Sequence, residues 1–147
     1  MKKIFPLFLL LLSIVACENN FEYPLNDTVS DFIKTEYKGA KLLDAEYSDG
    51  GLCEVEILHK SIVKEVYFNA EDEWVYTTWD VKPSSLPDAV KTYVNTNYPE
   101  YSIDDADFYE SSSLSYYTVE VQKGESERTI NLKADGTLVG ITDLWPF

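Results

Sequence analysis

The chain is short of the residues that most reactive sites require. Its 147 residues include two cysteines, one histidine and one methionine. Two cysteines make no disulfide framework, and with His59 as the sole imidazole they leave no ordinary zinc set and no Cys–His pair. The sequence has no G-x-S-x-G, no H-E-x-x-H and no phosphate-binding glycine loop. Ser61 lies two residues from His59, a spacing that implies no catalytic geometry, so no catalytic residue is assigned and an enzyme is not expected. Asp104, Asp105 and Asp107 have calcium-ligand chemistry, but strand alternation lets only Asp105 and Asp107 converge; no metal and no cofactor are expected. Positive charge is scarce too: 12 basic residues against 26 acidic ones give a formal −14. Such a surface repels phosphate backbones, which excludes nucleic acid as a partner.

The chain opens on Lys2 and Lys3, followed by an apolar run, Ile4 to Ala16, too short to span a bilayer. The run ends in Ile14-Val15-Ala16-Cys17, which resembles the lipobox of bacterial lipoproteins. The resemblance implies a signal peptide over 1–16, lipidation of Cys17 and anchoring through several acyl chains. It places the protein in the envelope of a diderm bacterium, with the outer membrane expected and the membrane contacted through lipid. Without Lys2 and Lys3 the chain carries 10 basic and 26 acidic residues, a formal −16. Residues 17–26 read as a polar tether. Cys53 alternates with Val55 and Ile57 and reads as a buried small apolar side chain.

Two stretches repeat one another. Val29, Phe32, Ile33 and Tyr37 follow helical spacing behind the capping candidates Asn26, Asp27 and Thr28. Val90, Tyr93, Val94 and Tyr98 repeat the pattern 61 residues later, opened by Pro87-Asp88 and stopped by Pro99. Lys38-Gly39 ends the first helix. Each helix leads into β signals. First strands are predicted over Leu42–Ser48 and Ile103–Glu110, each marked by an Asp-Ala pair. Second strands run through Cys53–Ile57 and Tyr117–Val121. Hairpins follow, joining Val63–Phe68 to Trp74–Trp79 and Arg128–Leu132 to Leu138–Thr142. A bulged turn with Gly136 in the left-handed region pairs Leu132 with Leu138, and places Phe68 opposite Trp74. The second copy is three residues longer at its first hairpin, an insertion expected in the loop around Ser111–Ser115.

The fold class predicted is α+β: two tandem units, 27–81 and 86–147, each one helix plus a four-stranded antiparallel sheet, with the helices on one sheet face. A unit of about sixty residues buries only a marginal core, so the units are expected to pack side by side, and joined sheets would also remove exposed edges. A monomer is expected.

Leu86-Pro87, Ala89-Val90, Asn97-Tyr98-Pro99, Val119, Val121 and Asp135-Gly136 resemble the repeat of the PepSY-like, beta-lactamase-inhibitor-like family of bacterial envelope proteins. The first copy keeps Val29, Tyr37, Val55 and Ile57 but lacks the leading Leu-Pro, the Tyr-Pro turn and the Asp-Gly. The resemblance implies a broad antiparallel sheet with helices on one face. It implies a sheet face used for clamping an enzyme in the inhibitor that names the family, but the motifs shared here build the fold rather than the inhibitory loop.

With Phe68 and Trp74 turned inward, alternation assigns Glu54, Glu56, Tyr67, Val75, Thr77 and Trp79 to the other face. The second copy adds Thr118, Glu120, Asn131, Val139 and Ile141. Aromatic residues mixed with carboxylates on a broad sheet have the composition of a protein-binding surface. The partner-binding candidates are Tyr67, Trp79, Glu56 and Glu120, with Glu71 and Asp72 at the acidic hairpin tip. The competing reading covers these side chains with the neighbouring unit or the C-terminal tail, and a one-residue slip would exchange the faces. The sequence thus predicts a non-catalytic, lipid-anchored protein that binds a protein or peptide, an enzyme included, with a structural role in an envelope assembly as the alternative.

Overall fold

The structure is a computed structural model and describes residues 25–144. The predicted signal peptide, Cys17, most of the tether and the last three residues lie outside the described residues. Helix α1 (Asp27–Glu36) leads into strands β1 (Lys41–Tyr47), β2 (Cys53–His59), β3 (Ile62–Phe68) and β4 (Trp74–Asp80). A 3₁₀ turn, Pro83–Ser85, connects to α2 (Asp88–Asn97), β5 (Ser102–Ser111), β6 (Ser115–Lys123), β7 (Ser126–Leu132) and β8 (Leu138–Leu144). Every predicted helix and strand forms, with strand ends displaced by at most two residues.

Local chemistry explains where the helices begin and end. The Asn26 side chain accepts a hydrogen bond from the Val29 N–H at 2.9 Å, capping α1. Gly39, at φ +84°, turns the chain away after the last turn. Helix α2 starts behind Pro87, has Asp88 in its first turn, and stops at Tyr98 before Pro99. In both helices two residues four apart point into the core: Val29 with Ile33, and Val90 with Val94.

All eight strands form one antiparallel sheet in sequence order, so the predicted four-stranded units are not separate sheets. The join is β4 against β5, with Trp79 opposite Phe108 and Asp80 opposite Asp107. The three extra residues of the second hairpin go into strand rather than loop. They let Tyr109, Glu110 and Ser111 of β5 pair with Thr78, Thr77 and Tyr76 of β4.

Both helices cover one face of the sheet, over two separate apolar clusters. Val29, Ile33 and Tyr37 pack on Cys53, Val55, Ile57, Val66 and Phe68. Val90 and Val94 pack on Ala106, Val119, Val121, Ile130 and Leu132. Cys53 is buried, as expected. Fully buried side chains of this size contribute roughly 1.5–3 kcal/mol each against exposure.

The Asp-Ala pairs have the same role in both halves. A bulge separates Leu42 from Asp44 in β1 and Ile103 from Asp105 in β5. The aspartate beside each bulge accepts from the next N–H: Ala45 to Asp44 at 2.8 Å, and Ala106 to Asp105 at 2.9 Å. The Asp135-Gly136 turn also holds α2 in place. Gly136 sits at φ +83°, and a Cβ there would lie 3.0 Å from the Ala89 carbonyl oxygen. Ala89 at the start of α2 and Gly136 in the β7–β8 turn thus meet in space.

Candidate functional site

The face without helices is read from the strand register, because directly opposed residues share a face. Tyr67 lies opposite Glu54 and Tyr76, and Tyr109 lies opposite Thr78 and Tyr116. These four tyrosines form a continuous stacked row across β3, β4, β5 and β6. Ring centroids are 4.4 Å apart for Tyr67–Tyr76, 5.0 Å for Tyr76–Tyr109 and 4.7 Å for Tyr109–Tyr116, with planes tilted by 19–26°. The row is half-buried, and its faces are turned to one another. Ring edges and phenol groups are therefore what it offers to solvent. The Tyr67 hydroxyl donates to Glu65 Oε2 at 2.9 Å.

Carboxylates flank the row. By register this face carries Asp44 and Glu46 from β1, Glu54 and Glu56 from β2, and Glu65 from β3. Asp80 from β4, Asp105 and Asp107 from β5, Glu120 from β6 and Glu127 from β7 complete it. Against these ten carboxylates, the strands place one lysine on the same face, Lys41, at the start of the edge strand. Burial pushes the Asp107 carboxyl up to about 6, helped by the nearby Asp105 and Asp80. Burial also raises Glu54, with Glu65 adding to it, and Glu120, with Glu127 and Asp105 adding to it. The phenol of Tyr67 is raised by burial and by its bond to Glu65, so it stays neutral and donates.

The structure places Tyr67, Glu56, Glu120, Glu54, Thr118 and Asn131 on this open face, as alternation predicts. It corrects Trp79, Thr77 and Ile141. A bulge leaves Val75 as an extra residue, so that Tyr67 opposes Tyr76 while Phe68 opposes Trp74. That extra residue inverts the phase along the rest of β4. Thr77 becomes fully buried opposite Val66, where its Oγ1 lies 2.6 Å from the Tyr37 hydroxyl. Trp79 turns to the helix side and packs on Phe108 at 4.7 Å, which in turn meets Tyr117 at 4.8 Å. The same bulge at Val139 sends Ile141 to the helix side opposite Ile130, where the sheet edge leaves it 45% exposed.

Glu71 and Asp72 lie in the hairpin turn, off the sheet face. Asn69 Oδ1 accepts from the N–H groups of Glu71 and Glu73, and Asp72 occupies the left-handed region at φ +63°. Asp72 thus stands in this hairpin where Gly136 stands in the other. Tyr76, Tyr109, Tyr116, Glu65, Asp80 and Asp107 are members of the face that alternation missed. Tyr76 and Asp80 were hidden by the bulge, and the other four needed the β4–β5 pairing or a count along β3, β5 and β6 from a buried residue.

The helix side presents different chemistry. Trp79, Phe108 and Tyr117 line a groove of about 580 Å³ together with Ile62, Val81 and Lys82. Beside it Lys64 is 8% exposed, its Nζ 2.8 Å from the centre of the Trp79 ring. Burial lowers its pKa to about 8, opposed by the charge of Glu110. His59 packs its ring edge-on against Tyr37 at 5.6 Å, while Ser61 sits in the adjacent turn at φ +66°. Among the described residues no three His, Cys, Asp or Glu side chains are placed to hold a metal ion.

The model of the beta-lactamase-inhibitor-like, PepSY-like family matches residues 51–139. The chain belongs to that family. Among solved structures, this PepSY-like chain is similar to a BLIP-like protein from Bacteroides fragilis, at 23% identity and a TM-score of 0.74. The match covers 83% of this chain and 88% of that one. A DUF2874 family protein from Bacteroides ovatus matches at 18% identity and a TM-score of 0.70, covering 82% and 89% of the two chains. A Bacteroides eggerthii protein, provisionally named as periplasmic, matches at 14% identity and a TM-score of 0.66, covering 82% and 90%. These likenesses establish a shared fold. No curated protein matches the chain in sequence.

Proposed function

We propose that this PepSY-like chain is a non-catalytic, lipid-anchored envelope protein that binds another protein through the open face of its sheet. The observation that carries the reading is the tyrosine row. Four stacked rings hold a strip of ring edge and phenol across the four central strands, near one end of a broad uncovered sheet, which is the aromatic composition of a binding centre. The flanking carboxylates supply the polar rim. Family membership favours an enzyme as the first class of partner to test. The envelope location rests on the lipobox-like Ile14–Cys17, and the periplasmic name of one fold neighbour agrees with it. The two halves, each a helix followed by four strands, are read as diverged copies of one unit.

Capture from envelope extract by the full-length protein tests the reading. The double variant Tyr76→Ala/Tyr109→Ala is expected to lose at least tenfold in capture. Trp79→Ala/Phe108→Ala, on the helix side, is expected to retain it. Loss confined to the helix-side pair would move the site to the groove, and equal capture by both would sink the open-face reading. For the anchor, labelled fatty acid is expected to be incorporated into the wild type and not into Cys17→Ser.

A further inference from the structure

The open face is charged in a way that the fold alone does not require. Five pairs of carboxylate residues lie directly opposite one another across strand boundaries. They are Asp44 with Glu56, Glu46 with Glu54, Glu56 with Glu65, Asp80 with Asp107, and Asp105 with Glu120. Directly opposed like charges destabilise a sheet, and an interspersed cation is the usual remedy. Here the strand cations other than Lys41 are on the helix side: Lys64 opposite Ile57, Arg128 opposite Val121, and Lys123 in the same alternation. The segregation of charge between faces leaves repulsion on the open face that a positively charged partner would relieve.

We propose that the occupant of the open face is a cationic polypeptide segment, a Lys- or Arg-bearing strand or loop laid along the tyrosine row. This rests on the open-face reading above and adds the chemistry of the partner. The row extends about 14 Å across strands spaced at about 4.8 Å, the length of a short peptide stretch. Because the rings stack on one another, both faces of Tyr76 and Tyr109 are closed to a sugar ring, and only the end rings Tyr67 and Tyr116 keep one face each outside the stack. The opposed carboxylates are distributed over β1 to β6 rather than converging, which suits several separate ammonium or guanidinium groups better than one divalent ion. An anionic membrane surface or nucleic acid would add to the repulsion.

The test uses the full-length protein, a labelled decalysine peptide, decaglutamate and calcium. Two triple variants remove the same charge. Glu56→Gln/Glu65→Gln/Asp107→Asn neutralises the open face, whereas Asp31→Asn/Asp88→Asn/Glu125→Gln neutralises carboxylates on the helices and a turn. Decalysine is expected to bind the wild type and decaglutamate not to. The open-face triple should weaken decalysine at least tenfold, and the other triple less than twofold. Loss of repulsion should also raise the melting temperature of the open-face triple by a few degrees, which guards against a misfolded variant. Equal weakening by both triples, or absence of decalysine binding, overturns the proposal. So does calcium binding with the same sensitivity to the open-face triple in place of the peptide. If the natural partner is lost with Tyr76→Ala/Tyr109→Ala yet retained by the open-face triple, the cationic chemistry is wrong while the open-face reading survives.

Discussion

On the helix side of the sheet, the pairs under the helices and at the β4–β5 join include apolar partners: Val55 with Val66, Val119 with Ile130, Trp79 with Phe108. On the open side, one residue further along the same strands, they are Glu56 with Glu65 and Asp80 with Asp107. The two faces share every backbone hydrogen bond of the ladder, so what separates them is side-chain chemistry alone. The helix side gains stability from these apolar pairs, while the open side loses some at each pair of opposed carboxylates. Carboxylate pairs that oppose folding and are nonetheless repeated across the sheet are what the proposed binding role requires. The stacked rings of the tyrosine row bring attractive contacts to the same face, beside the opposed carboxylates.

The comparison breaks most simply at two adjacent residues. Phe68 is fully buried and meets Phe32 edge-on at 5.4 Å, whereas Tyr67 beside it faces out. Phe68→Ala is expected to lower unfolding free energy by about 3–5 kcal/mol. Tyr67→Ala should cost about 1 kcal/mol, the scale of an aromatic cross-strand pair. Urea unfolding of the two variants measures the difference. Similar losses would mean that the open face is as much a part of the core as the helix side.

Lys64 is the exception that sharpens the contrast, a cation buried on the apolar face. Its lowered pKa has a definite sign. Between about 8 and the unfolded value near 10.5 the unfolded chain binds more protons, so stability rises with pH across that window and is flat below it. The groups acting on it are Glu110 and Lys60, with the Tyr37 and Trp79 rings against its amine. Lys64→Met keeps the volume and removes the desolvation, and is expected to stabilise by about 1–2 kcal/mol at pH 7 after allowing for solvent screening. The rise above pH 8 should disappear with it. Destabilisation by Lys64→Met would show that the contact with Trp79 outweighs burial.

Most of the fold was legible in the sequence because it depends on local signals. Asn26, Gly39, Pro87 and Pro99 punctuate the helices, and strict alternation in Cys53–Ile57 and Tyr117–Val121 marks the strands. The left-handed Gly136 fixed the hairpin register that pairs Leu132 with Leu138. Alternation failed past the bulges, where one extra residue at Val75 or Val139 reverses every later side chain; Trp79 was misplaced for that reason alone. The tyrosine row was illegible for a different reason. Tyr67 and Tyr76 meet through one hairpin and Tyr109 and Tyr116 through another, but the halves of the row join only where β4 pairs with β5. That pairing spans the connection through α2, and no local signal in either strand specifies it.

The smallest effect tests the repulsion itself. Asp107 faces Asp80 across the β4–β5 join, with Asp105 on its own strand and Glu120 beyond. Its pKa is raised to about 6 from an ordinary value near 3.8, so between those values the folded protein binds more protons than the unfolded chain. Stability therefore falls as pH rises from about 4 to about 6 and is lowest above that window. Acidification from pH 7 to pH 5 is expected to stabilise the protein by a contribution on the order of 1 kcal/mol from this group, discounted for its partial exposure. Thermal melts of wild type and Asp107→Asn at the two pH values isolate it, because the variant has no carboxyl to titrate at that position. If the wild type gains no more than the variant on acidification, the open face carries no repulsion at the β4–β5 join for a cationic occupant to relieve.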